Sequence, residues 1–270
     1  MDMPRQLPLE LLYQVFALLV AFIFVHGAYV TVIRPQAEAL VAEEQARLAR
    51  DPQHVQQRNF YVVIKDYEQE ACFILMFWAI AILAYKGASA WRQRLQLGKD
   101  LLQLPSNLPI GPEDTRELGG RLDDLPAGKK EFLLPRALRS GISRFAATRD
   151  VQDTATAVRE ICSSEGERLE SELSVIRYIA WAIPSVGFIG TVRGIGEALS
   201  QANRAVEGDI TGVTQSLGVA FNSTFIALVI SIVLMFFIYQ IQLMQERLVL
   251  DTQSWCESNL IRRLRVRPLP

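Results

Sequence analysis

Hydrophobic positions gather into four runs, Leu11–Ile33, Ala71–Tyr85, Tyr178–Val192 and Leu217–Gln245, separated by charged stretches. None of the 29 Asp and Glu residues falls inside a run, and Leu217–Tyr239 passes 23 residues without any charge. About 20 apolar residues, rising about 1.5 Å each, cross a hydrocarbon core of about 30 Å. The last run and Leu11–Ile33 therefore span a membrane unaided. Ala71–Tyr85 is short and crosses only if Lys86 snorkels and Gly87–Trp91 extend the helix. Tyr178–Leu199 turns polar at its far end. The expected fold is an all-α integral membrane protein with about four transmembrane helices and long cytoplasmic helical extensions. A soluble domain with one large core does not accommodate the 23-residue run. The first run exceeds the roughly 7–15 apolar residues of a signal peptide and is expected to be an uncleaved anchor.

Between the runs the texture changes. Pro105, Pro109, Pro112, Pro126 and Pro135, with Gly111, Gly119, Gly120 and Gly128, mark 104–135 as turns and short pieces. Beyond Gly141, spacings of 3, 4 and 7 recur among Phe145, Val151, Val158, Ile161, Leu169, Leu173 and Ile176, which is helical. With no proline from Arg136 to Ile183, that helix is expected to run straight into the third span. No Gly or Pro lies between Gly218 and Pro268. The last helix is thus expected to extend on the order of 70 Å and to project from the membrane beside its predecessor as a stalk. The organisation read from these signals is an N-terminal anchor (1–33), an extracytoplasmic helical loop (34–70), a second span (71–91), a cytoplasmic segment (92–177), a two-span channel domain (178–245), and a C-terminal helix with a basic tail (246–270).

Orientation follows from Lys86, Arg92, Arg94 and Lys99 after the second span and Arg262, Arg263, Arg265 and Arg267 in the tail. These place both termini and the 92–177 segment in the cytoplasm. A net charge of −1 gives no electrostatic case for nucleic acid. Cys72, Cys162 and Cys256 fit neither a disulfide framework nor a metal site, and His26 and His54 are isolated. His26 reads as a hydrogen-bonded helix histidine, with a proton relay as the alternative. No nucleophile–base set, phosphate loop or metal spacing supports an enzyme, and no cofactor is expected.

The informative constellation lies in the last two spans. Pro184, Gly187, Thr191, Gly194 and Ala198 recur at 3 and 4 and form one small, partly polar face, to which Gly190 adds a small-xxx-small pair. Ala220, Thr224, Ala227 and Ser231 form a second such face, with Asn222 and Ser223 beside it. Counting residues along each span puts Thr191 and Thr224 at the same depth. Such faces serve helix packing, with hydroxyls bonded to their own i−4 carbonyls, or border a path for water or ions. Ser and Thr cannot carry a proton at accessible pH. A crossing ion would therefore need a carboxylate from another chain.

Ile183–Ile195 (IPSVGFIGTVRGI) resembles the second-to-last span of the MotA/TolQ/ExbB proton-channel family, and Ala220–Val229 (AFNSTFIALV) is similar to the last span of its TolQ and ExbB members. The likeness covers roughly 179–233. It implies a homo-oligomeric ring, a pentamer, around a dimer of an ExbD/TolR/MotB-like single-span partner with a membrane aspartate, in the bacterial inner membrane. It further implies that ion flow, H+ with Na+ also open, drives rotation and mechanical work. On this resemblance Thr191, Thr224, Ser223 and Ser231 line the ion pathway, and Pro184, Gly187, Gly190, Gly194 and Ala227 pack the helices and shape the site. Arg193 stands where tryptophan is usual, and with Glu197 at i+4 it forms either a snorkelling interface pair or an inter-subunit latch or selectivity charge. Ala227 replaces the usual glycine, and four spans rather than three suit MotA better than TolQ. The competing functions are a self-sufficient small-solute transporter, against which no broken helix pair or inverted repeat appears, and a membrane scaffold.

Overall fold

The computed structural model describes residues 6–50, 59–99, 101–102 and 109–265, and the expectations for His54, Pro105 and Arg267 fall outside these. Among the described residues every regular element is helical. Helix α1 (Gln6–Ala28) passes through a π-helical turn, Tyr29–Ile33, into α2 (Arg34–Arg50). A short α3 (Phe60–Ile64) is capped by the Asn59 side chain, which accepts from the Tyr61 amide. There follow α4 (Tyr67–Leu97), α5 (Thr115–Asp123), α6 (Ala127–Lys130), α7 (Leu133–Thr148), α8 (Val151–Glu172), α9 (Ser174–Ser200), α10 (Ala202–Val206) and α11 (Thr211–Asn259). Four helical stretches are long and apolar enough to cross a membrane, one in each segment where the sequence has an apolar run.

The chain divides into two compact units. The first, 1–84 with 175–238, contains the apolar parts of α1, α4, α9 and α11. Cross-helix bonds tie α1 to α4: the Tyr13 hydroxyl donates to the Ala81 carbonyl (3.1 Å) and the Trp78 indole to the Gln14 carbonyl (2.9 Å). Small residues Ala17, Ala21 and Ala79 are buried, whereas Leu12, Phe16, Phe24, Phe188, Phe225 and Ile232 are exposed. Small residues inside and large apolar residues outside is the arrangement expected of helices that pack closely in lipid.

The second unit, 85–174 with 239–270, has a soluble-type core. Leu118 and Leu122 of α5, Leu138, Ile142 and Phe145 of α7, Val158 and Cys162 of α8, Cys256 of α11 and Leu260 just beyond it are all buried. Ile110 closes it as a two-residue parallel bridge, donating to the Arg263 carbonyl (2.8 Å) while its own carbonyl accepts from Arg265 (2.9 Å). The helix expected to run unbroken from Arg136 breaks at 149–150. Arg149 takes a left-handed conformation (φ 54°) at the end of α7, and the Asp150 carboxylate caps α8 by accepting from the Gln152 and Asp153 amides (2.6 and 3.1 Å). An aspartate with backbone donors two and three residues ahead offers the chain an alternative to continuing the helix. Pro135 lies in the first turn of α7, where a missing N–H costs nothing. The last helix ends at Asn259, short of Pro268, because the chain turns there to form the Ile110 bridge.

Lys86 does not snorkel. It is 6% exposed, and its Nζ lies 2.7 Å from Glu172 Oε2. Glu172 also faces Arg168 (3.7 Å), which pairs with Glu165 (2.6 Å), itself paired with Arg136 (2.9 Å). Alternating charges thus run from α4 across α8 to α7, which is how Lys86 and Glu165 are accommodated in a packed interior.

Candidate functional site

Helices α9 and α11 meet, antiparallel, on the two small faces, and the contact is close. A Cβ added at Gly187 would sit 2.4 Å from Ala227 Cβ, one at Gly190 would sit 2.6 Å from Ser223 Cβ, and one at Gly194 would sit 2.8 Å from Ala220 Cβ. Each glycine therefore faces one small residue, in antiparallel register over two turns. Carbon atoms in contact normally lie about 3.5–4.0 Å apart, so no side chain fits at the three positions without moving the helices.

This approach brings the hydroxyls together. The Thr191 and Thr224 hydroxyls are hydrogen-bonded to one another. Thr191 Oγ1 also lies within bonding distance of the Gly187 (3.3 Å) and Ala220 (3.1 Å) carbonyls, and Thr224 Oγ1 of the Gly187 carbonyl (3.2 Å). Two hydroxyl protons serve these contacts, so the pair offers a passing species oxygen lone pairs rather than spare protons. It can accept a hydrogen bond or help to ligate a hard cation, and it cannot itself be protonated. Ser223, 1% exposed, donates to the Val219 carbonyl (3.0 Å), its own i−4 position.

Pro184 has a specific local consequence. It lies inside α9 and lacks the N–H that would bond the carbonyl four residues back, at Ala180. Ser231 Oγ on α11 donates to that same carbonyl at 3.1 Å. The proline frees an acceptor and a hydroxyl from the neighbouring helix takes it.

The first turns of α4 complete the site, a contribution that periodicity did not reveal. Helix α4 begins at Tyr67, so Glu68, Gln69 and Glu70 precede the apolar run but belong to its helix. Arg193 is held by both oxygens of Glu68 (2.7 and 2.8 Å) and by Glu197 (3.0 Å). The Glu68 side chain also lies against Gly190. Gln69, fully buried, donates to the Val63 carbonyl (3.1 Å) and to Ser223 Oγ (3.4 Å). Glu70 accepts from Arg34 and shares a 2.6 Å contact with His26 Nδ1, while the Arg34 guanidinium lies 4.3 Å from the Tyr67 ring centroid. The signal for this cluster was three acids in five residues, 66–70, immediately before an apolar run. Burial pushes the Asp66 carboxyl above the ordinary aspartate range. At the other loop the exposed Asp209 is held below that range by the Thr211 side chain and amide. Cys72, Cys162 and Cys256 are free and buried.

Four apolar helices, with small faces joining α9 to α11, define a multi-pass membrane protein whose last two spans form a tightly packed polar seam. Residues 129–254, from α6 through most of α11, match the model described as the MotA/TolQ/ExbB proton channel family, the one that the motifs at 183–195 and 220–229 resemble. The matched stretch begins well before that likeness and so takes in α7 and α8 as well. No curated protein and no solved structure matches the chain.

Proposed function

We propose that this chain is the ring-forming channel subunit of a motor driven by an ion gradient, coupling proton or sodium flow to rotation and mechanical work through a single-span partner. The observation that carries the reading is the Thr191–Thr224 hydroxyl pair, fixed between the glycine face of α9 and the small-residue face of α11, inside the segment that matches a proton channel family. In this reading five copies form a ring around a dimer whose membrane aspartate takes up ions, and the hydroxyl pair, with Ser223 and Ser231, lines the path to it. The ring lies in a bacterial inner membrane with both termini in the cytoplasm. Arg193, fastened to Glu68 and Glu197, keeps a cation beside the seam.

The test is the pair of variants Thr191→Val and Thr224→Val, co-expressed with the single-span protein. Valine keeps the shape and removes the lone pairs, so the complex is expected to assemble while gradient-dependent proton or sodium uptake into proteoliposomes falls at least tenfold. Undiminished uptake in the double variant would remove these residues from the mechanism. Uptake by this chain alone would favour a self-sufficient transporter. The hydroxyl bonds to backbone carbonyls favour a purely packing role as the second reading, in which both variants lose stability but not transport.

A further inference from the structure

The three acids at the start of α4 are not equivalent. Glu68 is neutralised by Arg193, and Glu70 by Arg34 with His26 beside it. Asp66 Oδ2 is buried without a hydrogen-bond partner. So is the oxygen of Gln69, a residue with no exposed surface. The Gln69 amide cannot be turned round to cure this, because its nitrogen donates to the Val63 carbonyl and a flip would set oxygen against oxygen. The Gln69 side chain hydrogen-bonds the Asp66 carboxyl, which by itself favours the ionised form, but Asp66 Oδ2 still has no donor. An ionised carboxylate and an amide oxygen are both acceptors only, and a buried acceptor without a donor is costly. We propose that Asp66 binds a proton, which relieves its buried and unpartnered Oδ2, and so forms a proton site of the chain's own, one side chain away from Ser223 on α11.

The surroundings are mixed in charge. Lys65 adjoins Asp66, and Arg193 of α9 faces it but is engaged by Glu68 and Glu197. Glu68 opposes ionisation, and on the far side Glu70 is balanced by Arg34 of α2 with His26 of α1. The Tyr29 hydroxyl of the π turn is a third buried group without a partner. Desolvation outweighs the two cations and the Gln69 hydrogen bond, so burial favours the neutral acid. A raised folded-state pKa gives stability that is full below the ordinary aspartate value and lost as pH rises through the folded value. The route from Asp66 through the Gln69 amide to Ser223 Oγ would give an ion path a titrating group outside the partner. That use rests on the channel reading, whereas the proton occupancy of Asp66 does not.

The experiment needs neither partner nor gradient, and the two readings therefore fail separately. The full chain, carrying 13C-carboxyl aspartate, is placed in lipid nanodiscs and its infrared spectrum titrated with pH. An isotope-shifted band of a protonated carboxyl is expected to persist above the pH at which an ordinary aspartate loses it, absent from Asp66→Asn and moved in Gln69→Leu. Asp209→Asn, at an exposed site, is expected to retain it. A wild-type spectrum whose protonated band vanishes wholly at the pH of an ordinary aspartate overturns the proposal without recourse to a variant. So does a band that disappears when sodium chloride replaces choline chloride at fixed pH, which would assign the site to a metal cation. A band that survives in Asp66→Asn assigns the proton to another aspartate and equally overturns it.

Discussion

Replacing Gly187 with alanine puts a Cβ 2.4 Å from Ala227 Cβ, 3.1 Å from the Ser223 carbonyl oxygen and 3.3 Å from Thr224 Cα. Relieving the first contact requires the helices to part by about 1 Å, given normal carbon contacts of about 3.5–4.0 Å. Overpacking costs about 1–3 kcal/mol, and the Thr224–Gly187 and Thr191–Ala220 bonds, about 0.6 kcal/mol each in a membrane protein, weaken as well. Alanine's greater helix preference returns about 0.5–1 kcal/mol. The clash wins, and Gly187→Ala is expected to lose about 2 kcal/mol. Ala227→Gly alone loses about 1 kcal/mol through helix propensity. Combined, the two swap a methyl group across the seam, the propensity terms cancel, and the clash with Ala227 Cβ disappears, leaving only the milder contacts with the Ser223 carbonyl and Thr224 Cα. The double variant should lie within about 1 kcal/mol of wild type, a coupling of about 2 kcal/mol. Detergent-induced unfolding in mixed micelles, followed by circular dichroism, measures all four corners of the cycle. A Gly187→Ala protein as stable as wild type, or an Ala227→Gly change that adds to the loss, would refute the seam.

Three further outcomes are expected. Pro184→Ala restores an N–H that competes for the Ala180 carbonyl, so Ser231→Ala should cost about 0.5 kcal/mol less in that background than in wild type, as read by the same unfolding assay. Lys86→Met leaves the half-buried Glu172 with the more distant Arg168, at 3.7 Å. It should destabilise the second unit by about 3 kcal/mol, with Lys86→Met/Glu172→Gln recovering most of the loss under limited proteolysis. Asp209 has a depressed folded-state pKa through its bonds to Thr211, so its ordering of the start of α11 is present above the ordinary aspartate pKa and lost as pH falls through the folded value. The protection factor of the Thr211 amide, its exchange compared with the intrinsic rate at the same pH, should fall on acidification in wild type and not in Asp209→Asn.

The apolar runs mark the four spans because lipid imposes length and composition together, and no local choice of turn can disguise a charge-free stretch such as 217–239. The small faces were legible too, since Gly187, Gly190 and Gly194 share one side of a helix and only close approach gives three such residues a use. What escaped was governed by single side chains. The α7–α8 break depends on Asp150 reaching two amides, and a run without proline gives no sign of that. Lys86 was read from its distance to an interface, yet its environment is set by Glu172, 86 residues away. The α4 acids were counted as loop because they precede the apolar run. Helices extend past their hydrophobic stretch wherever polar neighbours such as Arg193 and Arg34 await the next turn.

The π turn at Tyr29–Ile33 gives the first long helix some slack. A π turn holds one residue more than an α turn. Deleting a single residue there would tighten it to ordinary helix while Tyr13 and Arg34 keep their present directions. The same deletion at Leu19 would swing everything beyond it by about 100°, carrying Arg34 away from Glu70. Tolerance of shortening in this helix should therefore be confined to five positions, and a deletion scan along it would read out where the chain stores its spare length.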